Sequence, residues 1–424
     1  MCSDRARPIE DVRVGDSVLT HTGRFRRVTH VMSREFDGDL LKIEAWGSQP
    51  IVCTPEHPIR VCDPNSQTYS WKAAKDIVAG DWLVTPKLDH RTDGFIGEAL
   101  ARVIAWYVAE GNVEGGHLTF SLATDETEFI EELCELLKHL GMEPYTRVQE
   151  NVCMVCVNNA VLSDFLVGVC GSLAPNKRLP LALLRGHERA VWDTLIKGDG
   201  CVHVPLGRGR ARPVYCYATV SEGLAQQVQI IGASLGYTGS YTISPASKGQ
   251  IEGREVECRE RYNLHMRHAS IIDGRNGNKT RSARHAVLGQ VISVGCERYH
   301  GKIYNLSVAE DESYVVNGRA VHNCSFEAAI KGAFYAEEMR TMLAEGRIRP
   351  IEIEKEVRVH TAWDLGVSDS TAIWFIQCVG RERRLVDYYG GSGVGLDHYA
   401  QVLHDKRIKH GWSMATITSR TTSK

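Results

Sequence analysis

The tetrapeptide Val321-His322-Asn323-Cys324 carries residue types that can break a peptide bond by side-chain chemistry. The amide nitrogen of the Asn323 side chain can attack the carbonyl carbon of its own residue and form a succinimide. His322 can donate a proton to the leaving amine, and the thiol of Cys324 can accept an acyl group. Taken alone, the tetrapeptide is equally consistent with an ordinary polar loop.

Thr54 and His57 form a second candidate group, three residues apart after a run of β-forming residues. At a bend from strand to turn, both side chains can face one scissile amide, polarise it and protonate its nitrogen. A single pair at this spacing is a weak signal. The combination is stronger, because the pair lies near the start of a β-rich region that ends at His322-Asn323.

Glu110 and Asp199 each follow a helical segment that has a small residue at every fourth position. These positions are Ala101, Ala105 and Ala109 in the first segment, and Ala190, Thr194 and Gly198 in the second. Two such helices could approach closely and bring the two carboxylates together, where they repel each other unless a divalent cation such as Mg²⁺ joins them. The alternative is that each acid ends a solvated helix before a glycine cap.

The surrounding pattern indicates which elements position these groups. Residues 1–90 contain short segments rich in Val, Ile and Thr, and residues 290–323 return to the same β character. Between them, the order helix, strand, helix, strand, strand occurs twice. We therefore expect an all-β domain that is interrupted by a tandem α/β domain and then completed. The pattern in residues 324–424 predicts a separate α/β segment.

Composition limits the class of protein. The formal charge of the 424 residues is -2, so any nucleic-acid surface must be local, and residues 201–290 hold 12 Lys and Arg against 6 Asp and Glu. The 13 cysteines are too few and too scattered for a disulfide-stapled scaffold or for structural zinc. Neither a signal peptide nor a transmembrane segment is recognisable. We expect a cytoplasmic protein with no membrane partner.

The first two groups together resemble the Hint fold of inteins, and so do the segments PIEDVRVGDSVLT, WKAAKDIVAGDWLVTP and YHGKIYNLSVAEDESYVVNGRAVHN. The resemblance implies that Thr54 and His57 activate an upstream junction. It also implies that His322 and Asn323 resolve a branched intermediate, and that Cys324 is the first residue of the downstream extein. Splicing of this kind needs no cofactor.

Two positions depart from the intein pattern. The family usually has Asp in place of Asn305 and often a His near Glu312, so the C-terminal step is expected to be slower or to use other groups. Cys2 stands seven residues before Ile9, which leaves too little chain for a strand and its turn. We expect that Cys2 is not the splicing nucleophile and that the first strand of the fold is missing.

The tandem α/β unit resembles the LAGLIDADG (DOD-type) homing endonucleases that interrupt many inteins. LARVIAWYVAEG and WDTLIKGDG read as degenerate copies of the family motif. The resemblance implies Mg²⁺-dependent cutting of double-stranded DNA by a monomer, with Glu110 and Asp199 as metal ligands. It also implies that Lys177, in the segment NKRLP, stabilises charge at the scissile phosphate. DNA would lie against the strands, although a solvated charged face is the alternative for the basic region.

Residues 324 to about 412 resemble the large subunit of a phage terminase at the start of its RNase H-like nuclease domain. The resemblance implies that Asp364 is the first metal-binding carboxylate. The ATPase half is absent, and we expect the tail from Met414 to be frameshifted. The small subunit and portal of a terminase would be partners only through the full-length host protein.

The sequence therefore predicts a multidomain chain: a Hint fold in residues 1–90 and 290–323, interrupted by a two-repeat LAGLIDADG endonuclease in 91–289 and followed by a partial RNase H-like segment in 324–424. One alternative is a DNA-packaging terminase that carries a degenerate, inactive intein. A hedgehog-type autoprocessing protein is a third interpretation, but such modules lack the terminal Asn-Cys pair.

Overall fold

A computed structural model describes residues 1–89, 96–204, 213–251, 254–269, 279–323, 341–342, 345–349, 351, 353–364, 371–391 and 395–410. The chain divides into two compact units, Met1–Ala329 and Ile330–Lys424. No helix within the described residues is long and apolar enough to cross a membrane.

The first unit contains twenty described strands and five described α-helices. Its strands are β1 (Ser17–Leu19), β2 (Phe25–Ala45), β3 (Ile51–Cys53), β4 (Pro58–Asp63), β5 (Thr68–Ala73), β6 (Trp82–Pro86), β7 (Gly111–Glu114), β8 (His117–Ala123), β9 (Tyr145–Gln149), β10 (Val152–Val157), β11 (Gly200–His203), β12 (Val214–Thr219), β13 (Tyr237–Ser244), β14 (Ser247–Ile251), β15 (Arg254–Cys258), β16 (Arg261–His268), β17 (Thr280–Ser282), β18 (Ala286–Val308), β19 (Ser313–Val316) and β20 (Arg319–His322). Its helices are α1 (Glu98–Glu110), α2 (Thr127–His139), α3 (Ala160–Cys170), α4 (Glu188–Gly198) and α5 (Glu222–Ser234), with 3-10 turns at Ile9–Asp11, Ala74–Asp76 and Ala174–Asn176.

A ten-stranded sheet joins the two β-rich ends of the chain. Its main path runs β1-β2-β18-β6-β4-β20-β19, and β3, β5 and β17 pair at its sides. Met1 links the two outer strands, because its amine donates to the carbonyl of Val315 in β19 while its own carbonyl accepts from the Leu19 amide in β1. The sheet is therefore nearly closed, and the predicted all-β fold is confirmed for these segments.

Two long strands replace the shorter ones that the sequence predicts. The turn residues Asp37 and Gly38 suggest a break, yet both lie inside β2, opposite His300 and Tyr299 of β18. The antiparallel ladder with β18 gives the backbone groups that face it hydrogen-bond partners, and that gain outweighs the low strand propensity of Asp and Gly.

The α/β insertion leaves and re-enters the sheet at one place. Pro86 at the end of β6 lies opposite Ala286 at the start of β18, so the insertion occupies a hairpin connection. Its two halves have the same strand topology, in the orders β7-β8-β10-β9 and β11-β12-β16-β13. The second half adds the β14–β15 hairpin. The predicted tandem repeat is present, but β7 and β11, which follow the acids directly, were not predicted.

The hydrophobic core of the insertion continues into the β sheet. Trp106 of α1 and Trp192 of α4 are fully buried in it. The same cluster includes Leu19, Leu88 and Val315. A second cluster fills the interior of the sheet and includes Val18, Ile59 and Val321. The ten-stranded sheet and the insertion thus share apolar contacts in addition to the connecting chain.

The second unit contains a three-stranded antiparallel sheet and one described helix. These elements are β21 (Val359–Asp364), β22 (Thr371–Val379), β23 (Glu382–Gly391) and α6 (Leu396–His410). Tyr399 of the helix packs with Ile373 and Phe375 of β22 in a small core. These elements agree with the predicted α/β segment, whereas the RNase H-like assignment stays a prediction.

Candidate functional site

Thr54 and His57 are the first and last residues of one tight turn. The His57 amide donates to the Thr54 carbonyl at 3.0 Å, and the turn joins β3 to β4. Strand β4 also pairs with β20, with Ile59 opposite Val321. This pairing brings the turn close to the end of β20, where His322 and Asn323 lie. The two sequence motifs, about 265 positions apart, therefore meet in one site.

Backbone groups hold Asn323 in a buried position. Its amide donates to the Glu312 carbonyl at 2.9 Å. In the side-chain orientation that pairs donors with acceptors, Nδ2 donates to the same carbonyl at 2.6 Å and Oδ1 accepts from the Val308 amide at 3.1 Å. Glu312 has a left-handed backbone, with φ of 46°. In this conformation, the Glu312 carbonyl accepts hydrogen bonds from both the backbone amide and Nδ2 of Asn323.

His322 contacts both atoms that a cyclisation would involve. Its Nδ1 is 2.6 Å from the Asn323 carbonyl oxygen and 3.1 Å from Nδ2 in that orientation. The carbonyl can only accept, so the first contact requires a proton on Nδ1, whereas the second suits an unprotonated Nδ1. The carboxylate of Glu312 lies 3.9 Å from Nε2.

Burial keeps a second histidine of the site neutral. His57 is 9% exposed, and burial, followed by the nearby charge of His322, lowers its pKa to about 4. Its ring lies 6.5 Å from that of Tyr314, whose hydroxyl donates to Asn305 at 2.9 Å. At neutral pH, His57 is uncharged, so one ring nitrogen can donate a hydrogen bond and the other can accept one.

Two further sequence-predicted positions have different outcomes. Cys2 is buried beside Val18, and burial raises the pKa of its thiol, so that the thiolate form is disfavoured. Cys324 lies outside the described residues.

Glu110 and Asp199 lie where helices α1 and α4 approach each other closely. A Cβ added to Gly198 would stand 2.6 Å from the Ala109 Cβ and 3.6 Å from Oε1 of Glu110. Glycine at this position therefore permits the close approach, and the following residue, Asp199, stands near Glu110. This close contact of α1 and α4 agrees with the small residue at every fourth position of the two helical segments in the sequence.

Both carboxyl groups have raised pKa values. Burial, then the charges of Asp199 and Glu126, raise the pKa of Glu110 to about 7. Loss of hydration raises the pKa of Asp199 to about 6, opposed by the Tyr217 hydroxyl, 3.5 Å from Oδ2, and by Lys177. Asp199 is exposed to solvent, so water reduces the free-energy effect of its pKa shift.

Lys177 binds backbone carbonyls at the C-terminal end of α1, near the acid pair. Its buried ammonium donates to the carbonyls of Tyr107 at 2.6 Å and Gly111 at 2.8 Å and lies 3.3 Å from the centre of the Tyr107 ring. Burial lowers its pKa to about 8. Its positive charge acts on Asp199, but its hydrogen bonds go to backbone carbonyls.

The acid pair suits a hard divalent cation that is shared with a substrate. Within the described residues, no cluster of three or more His, Cys, Asp or Glu side chains could hold a metal ion by itself. Mg²⁺ usually takes one or two carboxylates and completes its shell with water and substrate phosphates. Glu110 has no hydrogen-bond partner among the described residues, so its oxygens are available for such an ion.

The sequence did not predict several other groups at the sites. The Glu312 carbonyl and the Val308 amide gave no sequence signal, because backbone groups are alike at every position. The Tyr217 hydroxyl could have been suspected from its place on the strand that pairs with β11. Asp364 is exposed at the end of β21, in the second unit.

Comparison with known proteins identifies the family. The family profile of the intein splicing domain matches residues 8–323. An iron-sulfur cluster assembly SufBD family protein of Mycobacterium bovis is 30% identical over 360 residues, which cover 75% of this chain and 41% of that protein. An ATP-dependent DNA helicase of Thermococcus kodakarensis is 27% identical over 396 residues, covering 75% of this chain and 35% of the helicase.

The chain spans less than half the length of these two relatives. Among solved structures, the N-terminal LAGLIDADG domain of DUF199/WhiA aligns with 41% of this chain and 79% of its own, at 11% identity and a TM-score of 0.24. The profile match covers most of the sheet and the whole insertion, including the Thr54 turn and Asn323. The chain therefore belongs to the intein splicing domain family.

Proposed function

We propose that this chain cleaves the peptide bond between Asn323 and Cys324 by cyclisation of Asn323, as the C-terminal step of protein splicing. The observation that supports it best is the position of His322 Nδ1, within 2.6 Å of the Asn323 carbonyl oxygen and 3.1 Å of the attacking nitrogen. Thr54 and His57 serve the upstream junction of the same reaction.

The atoms balance without a cofactor or water. Nδ2 of Asn323 attacks its own carbonyl carbon, and the C–N bond to Cys324 breaks. The proton lost by Nδ2 passes to Nδ1 of His322, and a proton from His322 goes to the leaving amine. The products are a C-terminal succinimide and a free amine on Cys324. The Glu312 carbonyl orients Nδ2, which lowers the entropic cost of reaching the attacking geometry.

An intact-mass time course of the purified chain tests this function. Two fragments that meet between Asn323 and Cys324 are expected, with masses that sum to the intact mass, because cyclisation adds no water. Asn323→Ala should give none. Asn317→Gly is the matched control, since Asn317 lies at the turn of the β19–β20 hairpin, where its left-handed backbone suits glycine, and should leave the cleavage unchanged. Fragments whose masses already sum to one water more than the chain at the earliest times, before a succinimide can take up water, would indicate direct hydrolysis and contradict the proposal.

The insertion supports a second function, Mg²⁺-dependent cutting of double-stranded DNA. The observation that supports it best is the pair Glu110 and Asp199 at the contact of two helices: loss of hydration raises both pKa values, and the charge of Asp199 raises that of Glu110 further. These two side chains would hold the ion, which neutralises charge that develops on a scissile phosphate. Lys177 orders the end of α1, and we expect the monomer to present the strands of both repeats to DNA.

Cutting is tested on a library of randomised duplexes, with cleaved ends identified by sequencing. The parent chain should cut a restricted set of sites with Mg²⁺ and none with a chelator. Glu110→Gln with Asp199→Asn should abolish cutting, whereas Glu114→Gln, at the exposed end of β7, should not. Cutting that survives the double substitution would contradict the site assignment.

The assignment of residues 324–424 to a terminase is still a prediction. The relatives are named for iron-sulfur cluster assembly and for a DNA helicase, and each shares only part of its length with this chain. Such unlike names are what an element inserted in different hosts would give. A terminase host for this chain, with Asp364 as a metal ligand, is our proposal for residues 324–424, and expression in phage-infected cytoplasm would follow from it.

A further inference from the structure

The side chains of Ser313, His21 and Trp71 form a cluster beside the ring of His322. Ser313 lies directly opposite His322 in the β19–β20 pair. Nδ1 of His21 is 2.7 Å from the Ser313 hydroxyl, and the His21 amide donates to the same oxygen at 3.1 Å. The Trp71 ring contacts His21 on one side, at 5.4 Å between centroids, and His322 on the other, at 4.8 Å. Three separate parts of the chain thus surround one imidazole.

Trp71 is itself held from the neighbouring strand. The guanidinium of Arg60, its partner in the β4–β5 pair, lies 4.7 Å from the centre of the Trp71 ring. The rings of Trp71 and His322 are nearly perpendicular, at 88°. Edge-to-face contact of this kind is favourable and directional, so it limits rotation of the His322 ring about its last side-chain bond, which otherwise has a broad preference.

The hydrogen bonds of Ser313 suit one tautomer of His21. The buried Ser313 oxygen already accepts from the His21 amide, and its own hydrogen has the His21 Nδ1 as its acceptor among the described contacts. This arrangement suits the His21 tautomer that carries its proton on Nε2. Burial and the charge of Arg60 lower its pKa to about 4, so it is neutral at pH 7.

Neutral neighbours matter because His322 must carry a positive charge when it donates its proton. The titratable and charged groups that face it are His21, His57, the Glu312 carboxylate and, across the Trp71 ring, Arg60. Both other histidines stay uncharged at neutral pH, while Glu312 contributes a negative charge. The cluster therefore orients the His322 ring without adding repulsion from a second imidazolium.

We propose that Trp71 and His21 are positioning residues for Asn323 cyclisation, which hold the imidazole of His322 with Nδ1 against the scissile carbonyl. The inference rests on the proposed function of Asn323. It also accounts for a departure from the intein pattern, because Glu312 occupies the region where the family often has a histidine. Here the support of the C-terminal step comes instead from His21 after β1 and from Trp71 on β5.

The test compares cleavage rates of full-length variants by intact mass, with thermal unfolding recorded for each. Trp71→Ala should slow cleavage by about 10- to 100-fold, as expected when a reacting group loses its orientation. Trp71→Phe keeps an aromatic edge and should stay within about threefold of the parent. Tyr69→Leu is the matched control, because Tyr69 lies on the same strand and also packs under Arg60. It should leave the rate within about twofold.

A double substitution separates positioning from a general structural role. His322→Ala will be slow, and Trp71→Ala added to it should slow the reaction no further, because Trp71 acts through the His322 ring. If the two effects multiply, or if Trp71→Ala alone cleaves at the parent rate, the inference is overturned. Should Trp71→Ala lose cooperative unfolding, Trp71→Leu takes its place in the same comparison.

The two proposals fail in different ways. Equal behaviour of the parent and Asn323→Ala would overturn the proposed function, and the inference would fall with it. Cleavage in the parent that is indifferent to Trp71 would overturn the inference alone. His21→Leu gives an independent arm: it should slow cleavage in the parent background and have no added effect in His322→Ala.

Discussion

Replacing Glu110 by Gln should stabilise the protein at high pH when no divalent cation is present. The pKa of Glu110 is raised from 4.5 to about 7 in the folded state. The fold therefore favours the protonated form, and the stability that this contributes is present below pH 4.5 and is lost as the pH rises to about 7. A shift of this size would amount to about 3 kcal/mol without screening, and partial exposure reduces it to about 1–2 kcal/mol.

Urea unfolding at pH 4, 6 and 8 measures this effect. At pH 8, the free energy of unfolding of Glu110→Gln should exceed that of the parent by about 1–2 kcal/mol, while at pH 4 the two values should be equal. Adding Mg²⁺ at pH 8 should stabilise the parent more than the variant and so narrow the gap, because the ion offsets the repulsion from Asp199. Glu114→Gln controls for loss of one negative charge at an exposed site. If Glu110→Gln proves less stable than the parent at pH 8, the reasoning about repulsion is wrong.

Three further predictions concern packing and protonation. Gly198→Ala places a methyl group 2.6 Å from the Ala109 Cβ, so it should cost about 1–3 kcal/mol in denaturant unfolding; a neutral result would mean that the helices can separate freely. Arg319→Met removes a fully buried guanidinium that donates to the Leu83 carbonyl at 3.2 Å and to other oxygens around it, and we expect a loss of about 3 kcal/mol by the same assay. The pKa of His57 falls from 6.5 to about 4 on folding, so the parent should lose up to about 3 kcal/mol as the pH drops through that interval; thermal unfolding of His57→Gln should lack this decline, and an unchanged pH slope would contradict it.

Local patterns made the separate groups of the site predictable. Thr54 and His57 signal a turn after a strand, and His322-Asn323 signals the end of a hairpin. Small residues at every fourth position indicate which face of α1 meets α4 and hence that Glu110 lies near Asp199. In each case the information lies within about a dozen neighbouring residues, which is the range over which helix and strand periodicity can be read.

Long-range pairing decides what the sequence could not indicate. Gly38 reads as a turn, yet the ladder with β18 keeps it in an extended strand. The Glu312 carbonyl becomes a ligand for Asn323 through a left-handed backbone at one residue that is not glycine. Trp71 reads as one aromatic residue on a strand, and its contact with His322 depends on β5, β4, β20 and β19 lying side by side in the sheet.

The insertion connects β6 to β18 without interrupting the sheet, and it also packs against the sheet. Because Pro86 lies opposite Ala286, the chain can leave and return without moving β6 from β18. The buried helix α5 then packs along this edge, where the Gln229 amide donates to the Gly47 carbonyl. Arg319, at the start of the strand that ends at His322, donates to the carbonyl of Trp46 beside it. The insertion and the strand that ends at His322 thus both hydrogen-bond to adjacent residues, Gly47 and Trp46, just after β2.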